Sequence, residues 1–87
     1  MKLQKEIEKN FPKMEKLLTE EMILEFIQTA PDDLKEYNCG LGTMIRLYLL
    51  GPKSDLYKEF AKENFTCRDE MAIEMIRVFH QYMKDKL

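Results

Sequence analysis

The feature that most constrains this chain is a short apolar segment that is flanked by glycine-containing turns. Of the eight residues from Thr43 to Leu50, six are Met, Ile, Leu or Tyr, and the only charge is that of Arg46. The apolar residues occupy every side of the helical wheel, and a helix of this kind is normally buried on all sides. Gly51 and Pro52 follow, a pair that typically ends a helix. The sequence therefore predicts a central helix over Thr43–Leu50.

A buried β-strand is the alternative interpretation of the same segment. Eight apolar residues are also a typical strand length, and Ile and Tyr are common in strands. The neighbouring segments all show helical patterns, so the chain offers no second strand with which this one could pair. We therefore favour the helix.

Helical patterns continue on both sides of the central segment. Apolar residues at four-residue spacing predict a first helix over Lys2–Asn10. Residues 12–28 fit either one bent helix or two, and a helix of two turns follows before Asn38. Ser54 is expected to cap a helix that runs to about Asn64.

The longest helix is predicted over Cys67–Lys86, after a capping-box pattern at residues 66–69. Its broad apolar stripe consists of Met71, Ala72, Met75, Ile76, Val78, Phe79, Tyr82 and Met83. We expect the methionines of this stripe to belong to the core. Residues 1–87 are thus predicted to form a single all-α domain. It would be a compact bundle of five or six short helices around the central apolar helix, with a long C-terminal helix.

Length and charge exclude several kinds of function. The 87 residues can bury one modest core, and the net charge of −2 is nearly balanced. A general nucleic-acid binder needs a basic face and a polybasic membrane anchor needs clustered cations, so we expect neither. No apolar run approaches the length of a membrane span, and the N-terminus lacks a signal-peptide core. The cytoplasm is the expected location.

The cysteines and the single histidine do not form a recognisable site. A zinc site of the usual type would require Cys39, Cys67 and His80 to converge. We expect instead two reduced, partly buried thiols, with no metal and no cofactor. His80 has no nucleophile or acid at a recognisable catalytic spacing, so we place it at the surface or its boundary and predict no catalytic residue.

Arg46 is the most informative single residue. A permanent cation in an apolar segment must reach a carboxylate, a carbonyl or the surface, because an unpaired buried charge is too unfavourable. We expect an intramolecular pair with Asp69 or Glu70 at the start of the last helix. The alternative is that Arg46 belongs to an anion-binding or partner-binding site.

Two further patterns have a functional and a structural interpretation. Gly40, Gly42 and Thr43 fit an anion-binding turn at a helix N-terminus, but they lack the lysine of a phosphate-binding loop, so a tight helix-to-helix turn is favoured. The two C-terminal helices are similar to a helix-turn-helix motif. Its recognition helix would begin with Cys67-Arg68-Asp69-Glu70, which places two acids where phosphates and base edges lie, so DNA binding is not favoured.

Several short motifs resemble a family of small bacterial proteins that is classed as a domain of unknown function. The matching residues, in order, are Gly40-Leu41-Gly42, Ile45-Arg46, Ser54-x-Leu56, Phe60 and Asp69-Glu70-Met71. The similarity extends from about Asp32 to Tyr82. Family members usually have Asn after the Arg and tryptophans nearby, whereas this chain has Leu47 and no Trp. The resemblance implies a helical fold, and by analogy an immunity or accessory role beside a secreted toxin.

These observations favour a non-catalytic protein–protein interaction module with an accessory or regulatory role. Its partner would be another protein or a second copy of the chain, because so small a core leaves apolar surface that a partner can cover. The alternative is a regulator that binds a small ligand or nucleic acid. An enzyme is the least favoured class.

Overall fold

The structure, a computed structural model, describes residues 2–86. Within this range all regular secondary structure is helical. The elements are α1 (Lys2–Lys9), α2 (Phe11–Lys16), α3 (Glu20–Gln28), a 3-10 helix (Pro31–Asn38), α4 (Leu41–Tyr48), α5 (Asp55–Lys62) and α6 (Arg68–Lys86). The predicted all-α bundle with a long C-terminal helix is confirmed. None of the helices in the described range is both long enough and apolar enough to cross a membrane.

Two helices begin at side-chain caps, and one of these, at Ser54, was predicted from the sequence. The hydroxyl of Thr19 accepts a hydrogen bond from the backbone N–H of Met22 at 3.2 Å, and Thr19 has an extended backbone. This cap divides residues 12–28 into two helices, since a residue with extended backbone interrupts the helical ladder. Ser54 likewise accepts from the N–H of Tyr57 at 3.1 Å and opens α5.

The central helix lies two residues earlier than predicted. It ends at Tyr48, and the N–H groups of Leu49 and Leu50 both donate to the carbonyl of Ile45, at 2.9 and 3.0 Å. This closure turns the chain inward and buries both leucines. The helix therefore ends before Gly51, which does not have a positive φ.

The short segment before the central helix is also different from the prediction. It is a 3-10 helix rather than an α-helix of two turns. Its first hydrogen bond runs from the N–H of Asp33 to the carbonyl of Ala30 at 2.9 Å, on either side of Pro31. Such tighter helices are common as short connectors, and this one fills the space between α3 and α4.

Asn64 ends α5 through a left-handed turn. Its φ is 70°, and its N–H donates to the carbonyl of Ala61, while that of Phe65 donates to the carbonyl of Phe60. The rings of Phe60 and Phe65 then pack edge to face, with centroids 4.8 Å apart. This is the Schellman arrangement, and it stops the helix at Lys62, two residues earlier than expected.

The core is built around α6. Phe79 packs against Phe11 and Phe26, with ring centroids 5.7 Å apart in both pairs. The methionines Met71, Met75 and Met83 are buried, which confirms their predicted core role. α6 therefore holds α2 and α3 through aromatic packing along its middle.

His80 is buried in this core, so its predicted surface or boundary position is wrong. The side chain is 2% exposed, and its ring lies edge-on to Phe26 with centroids 5.1 Å apart. The Nε2 atom is 2.9 Å from the carbonyl oxygen of Thr29, where α3 ends. A carbonyl only accepts, so Nε2–H donates. His80 follows Ala72 and Ile76 at four-residue spacing, which places it on the buried side of α6.

Both cysteines are free and exposed, which contradicts the predicted partial burial. Cys39 lies in the turn after the 3-10 helix, and Cys67 immediately precedes α6. Neither position belongs to a helix face that packs on the core. The thiols therefore do not contribute to core packing.

Candidate functional site

Arg46 connects three elements of the fold. Its Nη1 donates to the side-chain oxygen of Asn38 at 3.0 Å and lies 3.2 Å from a carboxylate oxygen of Asp69. Its Nη2 donates to the hydroxyl of Thr43 at 2.9 Å and to the carbonyl of Asn38 at 3.3 Å. We call these four residues the Arg46 junction. It joins the end of the 3-10 helix, the start of α4 and the start of α6.

The ion pair that the sequence anticipated is formed with Asp69 and not with Glu70. The Arg46 side chain is 23% exposed and that of Asp69 is 69% exposed. Glu70 is also exposed, and it has no ion pair among residues 2–86. A pair this close to water contributes at most about 1 kcal/mol, because solvent competes for both charges. The junction is therefore both a structural contact and part of the surface.

Gly42 allows Asn38 to reach the guanidinium. A Cβ atom at Gly42 would lie 2.8 Å from the side-chain oxygen of Asn38 and 3.3 Å from Nη1 of Arg46. A Cβ at Gly40 would meet nothing within 4 Å. The two predicted turn glycines thus differ, because only Gly42 stands where a side chain would displace the junction.

The hydroxyl of Thr43 is engaged on both sides. It donates to the carbonyl of Cys39 at 2.6 Å and accepts from Arg46. Cys39 and Gly40 form a tight connection between the 3-10 helix and α4, and Gly42 and Thr43 belong to the first turn of α4. The hydroxyl of Thr43 is thus used in hydrogen bonds within the protein.

An open groove lies beside the Arg46 junction, between α4, α5 and the start of α6. Its volume is about 570 Å³. The residues that line it are Thr43, Arg46, Leu47, Tyr57, Thr66, Cys67, Arg68 and Asp69. We call it the Arg46 groove. Two guanidinium groups and one carboxylate border it, so its charged rim carries an excess of positive charge.

Leu47 and Tyr48 are exposed apolar residues at the end of α4, and Leu47 lines the Arg46 groove. They are 69% and 70% exposed, although they belong to the most apolar segment of the chain. The expectation that the central helix is buried on all sides is therefore wrong. Leu41 and Ile45 of the same helix are buried, whereas Tyr48 borders a second shallow cavity of about 240 Å³.

Sequence reasoning found Arg46 and Asp69 but missed Asn38, Leu47, Tyr48 and Arg68. A wheel without a polar face gives no indication of which apolar residues point outward. The charge of Arg46 is the one sequence signal that a side of this helix meets water. Nothing in the sequence marks Asn38, because its role depends on the path of the chain through the turn.

The described part of the chain does not bring metal-ligating side chains together. Among residues 2–86, no three His, Cys, Asp or Glu side chains are grouped so that they could bind a metal ion. The two exposed cysteines and the buried His80 lie in different environments.

Fold and site together define a small all-α fold with a partly exposed arginine junction beside an open groove. The chain belongs to the family described as Domain of unknown function (DUF6794), whose model matches residues 5–83. This confirms the resemblance to an uncharacterised family and extends it beyond Asp32–Tyr82. No match was found among curated proteins or among solved structures.

Proposed function

We propose that this chain is a non-catalytic protein–protein interaction module with an accessory or regulatory role in the cytoplasm. The observation that carries the proposal is the exposure of two successive large apolar side chains at the end of α4, Leu47 and Tyr48, of which Leu47 lines the Arg46 groove. Single exposed apolar residues are ordinary on protein surfaces. An exposed Leu and Tyr at the end of one helix, together with two arginines at the groove, match the composition of interface hot spots, which are rich in Tyr and Arg.

The chemistry of the groove suggests what the partner presents. Leu47 and Tyr48 favour an apolar side chain, and Arg46 and Arg68 favour a carboxylate. Asp69 already neutralises part of this charge through its pair with Arg46. We therefore infer a partner segment that is mainly apolar and carries one or two acidic residues. An immunity role beside a toxin fits such a surface, and rests on the analogy with the family.

Two observations support the non-catalytic and cytoplasmic parts of the proposal. His80 is the only histidine of the chain, and its buried ring donates to the carbonyl of Thr29, so the usual general acid–base side chain is used in the core. Cys39 and Cys67 are exposed free thiols, which suit a reducing compartment.

A regulator that binds a small anionic ligand is the second candidate. It is favoured by one observation, the presence of Arg46 and Arg68 in a groove of about 570 Å³. That volume lies within the usual range for ligand sites. A nucleic-acid ligand is less favoured, because Asp69 and Glu70 stand at the same helix start.

The first test is a tagged pull-down of the full chain from its own cells at near-physiological salt, analysed by mass spectrometry. The wild type is compared with Leu47→Ser/Tyr48→Ser and with Ile73→Ser, a control that removes another exposed apolar side chain. We expect a stoichiometric protein partner with the wild type and with the control, and loss of that partner with the double variant. Melting curves establish that all three are folded.

Three outcomes would contradict the proposal. Retention of the same partner by the double variant would show that Leu47 and Tyr48 are not part of the interface. Recovery of nucleic acid or a small ligand would favour the second candidate. Recovery of the chain alone, together with a concentration-dependent dimer in solution that the double variant lacks, would make this surface a homo-oligomer interface.

A further inference from the structure

The segment around α3 differs sharply in charge from the rest of the chain. Between Leu17 and Leu34 there are five carboxylates and no Lys, Arg or His. The remaining residues carry a net charge of +3, since the whole chain carries −2. Such sign asymmetry within one small domain produces a local negative field that attracts cations.

The acids of this segment have no charged partners within the described chain. The ion pairs among residues 2–86 use the carboxylates of Glu6, Glu15, Glu59, Asp69 and Glu74, all of which lie outside it. The acids of α3 are exposed. Their field is therefore directed to solvent.

Large apolar side chains lie among these acids. Leu24 is 57% exposed and Met22 is 41% exposed. On the helical wheel Glu21 and Glu25 fall between them. The outer side of α3 thus combines apolar contact area with negative charge, whereas the inner side packs Phe26 into the core.

A shallow cleft adjoins α3 and has the chemistry of a cation-binding pocket. Its volume is about 220 Å³, and it is lined by Met22, Glu25, Glu36 and Tyr37. The ring of Tyr37 is held edge-on to Phe26, with centroids 4.9 Å apart, and its hydroxyl lies 3.1 Å from that of Thr29. We call it the α3 cleft. It presents a fixed aromatic wall, a flexible thioether and two carboxylates without ion-pair partners in the described chain.

We propose that the α3 cleft and the outer side of α3 form a docking surface for a cationic amphipathic segment of a protein partner. One Lys or Arg of that segment enters the cleft, with its aliphatic stem on Met22 and Tyr37 and its charged end between Glu25 and Glu36. An apolar residue of the segment covers Leu24. Long basic side chains are suited to this arrangement because they join apolar contact area to a terminal charge.

This surface is distinct from the Arg46 groove, so the inference goes beyond the proposed function. α3 packs against Phe79 and His80, ten or more residues after Asp69 on α6. At 1.5 Å per residue the two regions are separated by about 15 Å along that helix. Their charges are opposite, and a partner that suits one surface is repelled by the other.

Charge complementarity selects a cationic partner over other occupants. Phosphate groups of nucleic acid or lipid are repelled by the carboxylates. A free small cation would leave Met22 and Leu24 uncovered. A second copy of the chain could offer the lysines of α1 and α2, but the large apolar side chains of these two helices are buried in its own core and could not cover Leu24.

The test uses a defined peptide as the probe. It has about 14 residues, roughly four helical turns, with Leu on one face and Arg on the other. A second peptide replaces Leu by Ser at the same charge, and a third replaces Arg by Glu. Binding to the full chain is measured by calorimetry, and the contact surface by amide chemical shifts.

Matched variants separate the cleft from general charge attraction. Glu25→Gln/Glu36→Gln removes the two carboxylates of the cleft. Glu8→Gln/Glu63→Gln changes the net charge equally at exposed positions away from the cleft, on α1 and immediately after α5. We expect the cleft variant to bind the Leu/Arg peptide about tenfold more weakly, and the control variant to stay within about twofold of the wild type.

The expected result is binding of the Leu/Arg peptide with shifts at Met22, Leu24 and Tyr37, and about tenfold weaker binding of the Ser/Arg peptide. Three results would overturn the proposal. One is the absence of shifts on α3. Another is an equal loss in both variants, which would indicate unspecific attraction. The third is a set of α3 shifts that grow with protein concentration in the absence of peptide, which would assign the surface to a second copy.

Discussion

Helix α6 meets α3 and α4 in two contrasting ways. Near its middle, His80 and Phe79 pack with Phe26 in a buried contact, where one hydrogen bond reaches Thr29. Near its start, Asp69 meets Arg46 at a junction that is open to water beside a groove. The rings of the first contact are buried, whereas the side chains of the second are partly or largely exposed. We infer that the first maintains the fold and that the second remains available for recognition.

The same comparison ranks the energetic importance of the two polar groups. His80 is almost fully buried with a single partner, so loss of its bond leaves a carbonyl that water reaches poorly. Arg46 has several acceptors and is partly exposed, so water can replace any of them. A substitution of His80 should therefore reduce the free energy of unfolding more than a substitution of Arg46, although it removes fewer hydrogen bonds.

Phe26→Ala should have the largest effect. The ring is fully buried between Phe79, Tyr37 and His80, and truncation leaves a cavity in the core. We expect a loss of about 4 kcal/mol in the free energy of unfolding, measured in urea. Leu24→Ala on the exposed side of the same helix is the control and should change it by less than about 0.5 kcal/mol. Similar losses in both would refute the assigned orientation of α3.

His80→Leu should be the next most damaging. Leucine fills much of the space but cannot donate to the carbonyl of Thr29. We expect a loss of about 1–3 kcal/mol from this unsatisfied group, measured by urea unfolding. His80→Gln retains a donor and should lose less. A leucine variant as stable as the wild type would show that the buried bond contributes nothing.

Gly42→Ala tests the geometry of the Arg46 junction against Gly40→Ala. The added Cβ at Gly42 moves the Asn38 side chain away from Arg46, whereas the one at Gly40 has free space. We expect the Gly42 variant to be about 1 kcal/mol less stable than the Gly40 variant, the typical contribution of one hydrogen bond. The Asn38 side-chain amide resonances should shift only in the Gly42 variant. Equal stability and equal spectra would contradict the described close approach.

Arg46→Met should have the smallest effect on stability. The ion pair with Asp69 is exposed, and the Met stem preserves part of the packing. We expect a loss of about 1 kcal/mol or less in the free energy of unfolding. The loss should become smaller at high salt, because salt screens the ion pair in the wild type. Binding of the protein partner should nevertheless weaken. A loss near that of Phe26→Ala would mean that Arg46 is mainly structural.

Much of this fold could be predicted from local sequence chemistry. Thr19 and Ser54 precede acidic first turns, and both act as caps. The apolar stripe of α6 has the 3.6-residue period, so its buried methionines could be placed. A pair of Arg46 with Asp69 or Glu70 followed from the cost of an isolated charge in an apolar segment, and the structure forms it with Asp69.

The incorrect predictions concern residues whose burial is determined by tertiary contacts. The apolar wheel of α4 gave no means of separating Leu41, which is buried, from Leu47, which is exposed. His80 lies at four-residue spacing from Ile76, a signal for burial, but its polarity suggested the surface. The bond to Thr29 joins residues 51 positions apart and has no local signature.

The most direct test of the central claim is photo-crosslinking in the cells that produce the protein. A benzophenone amino acid replaces Tyr48, an exposed aromatic position next in sequence to Leu47 of the Arg46 groove, and in a parallel chain it replaces Lys84, which is exposed near the other end of α6. The two positions test the proposed recognition region against a surface about 22 Å along α6 from Asp69. We predict a discrete crosslinked protein from position 48 and none from position 84. No product at position 48, or the same products from both positions, would contradict the account.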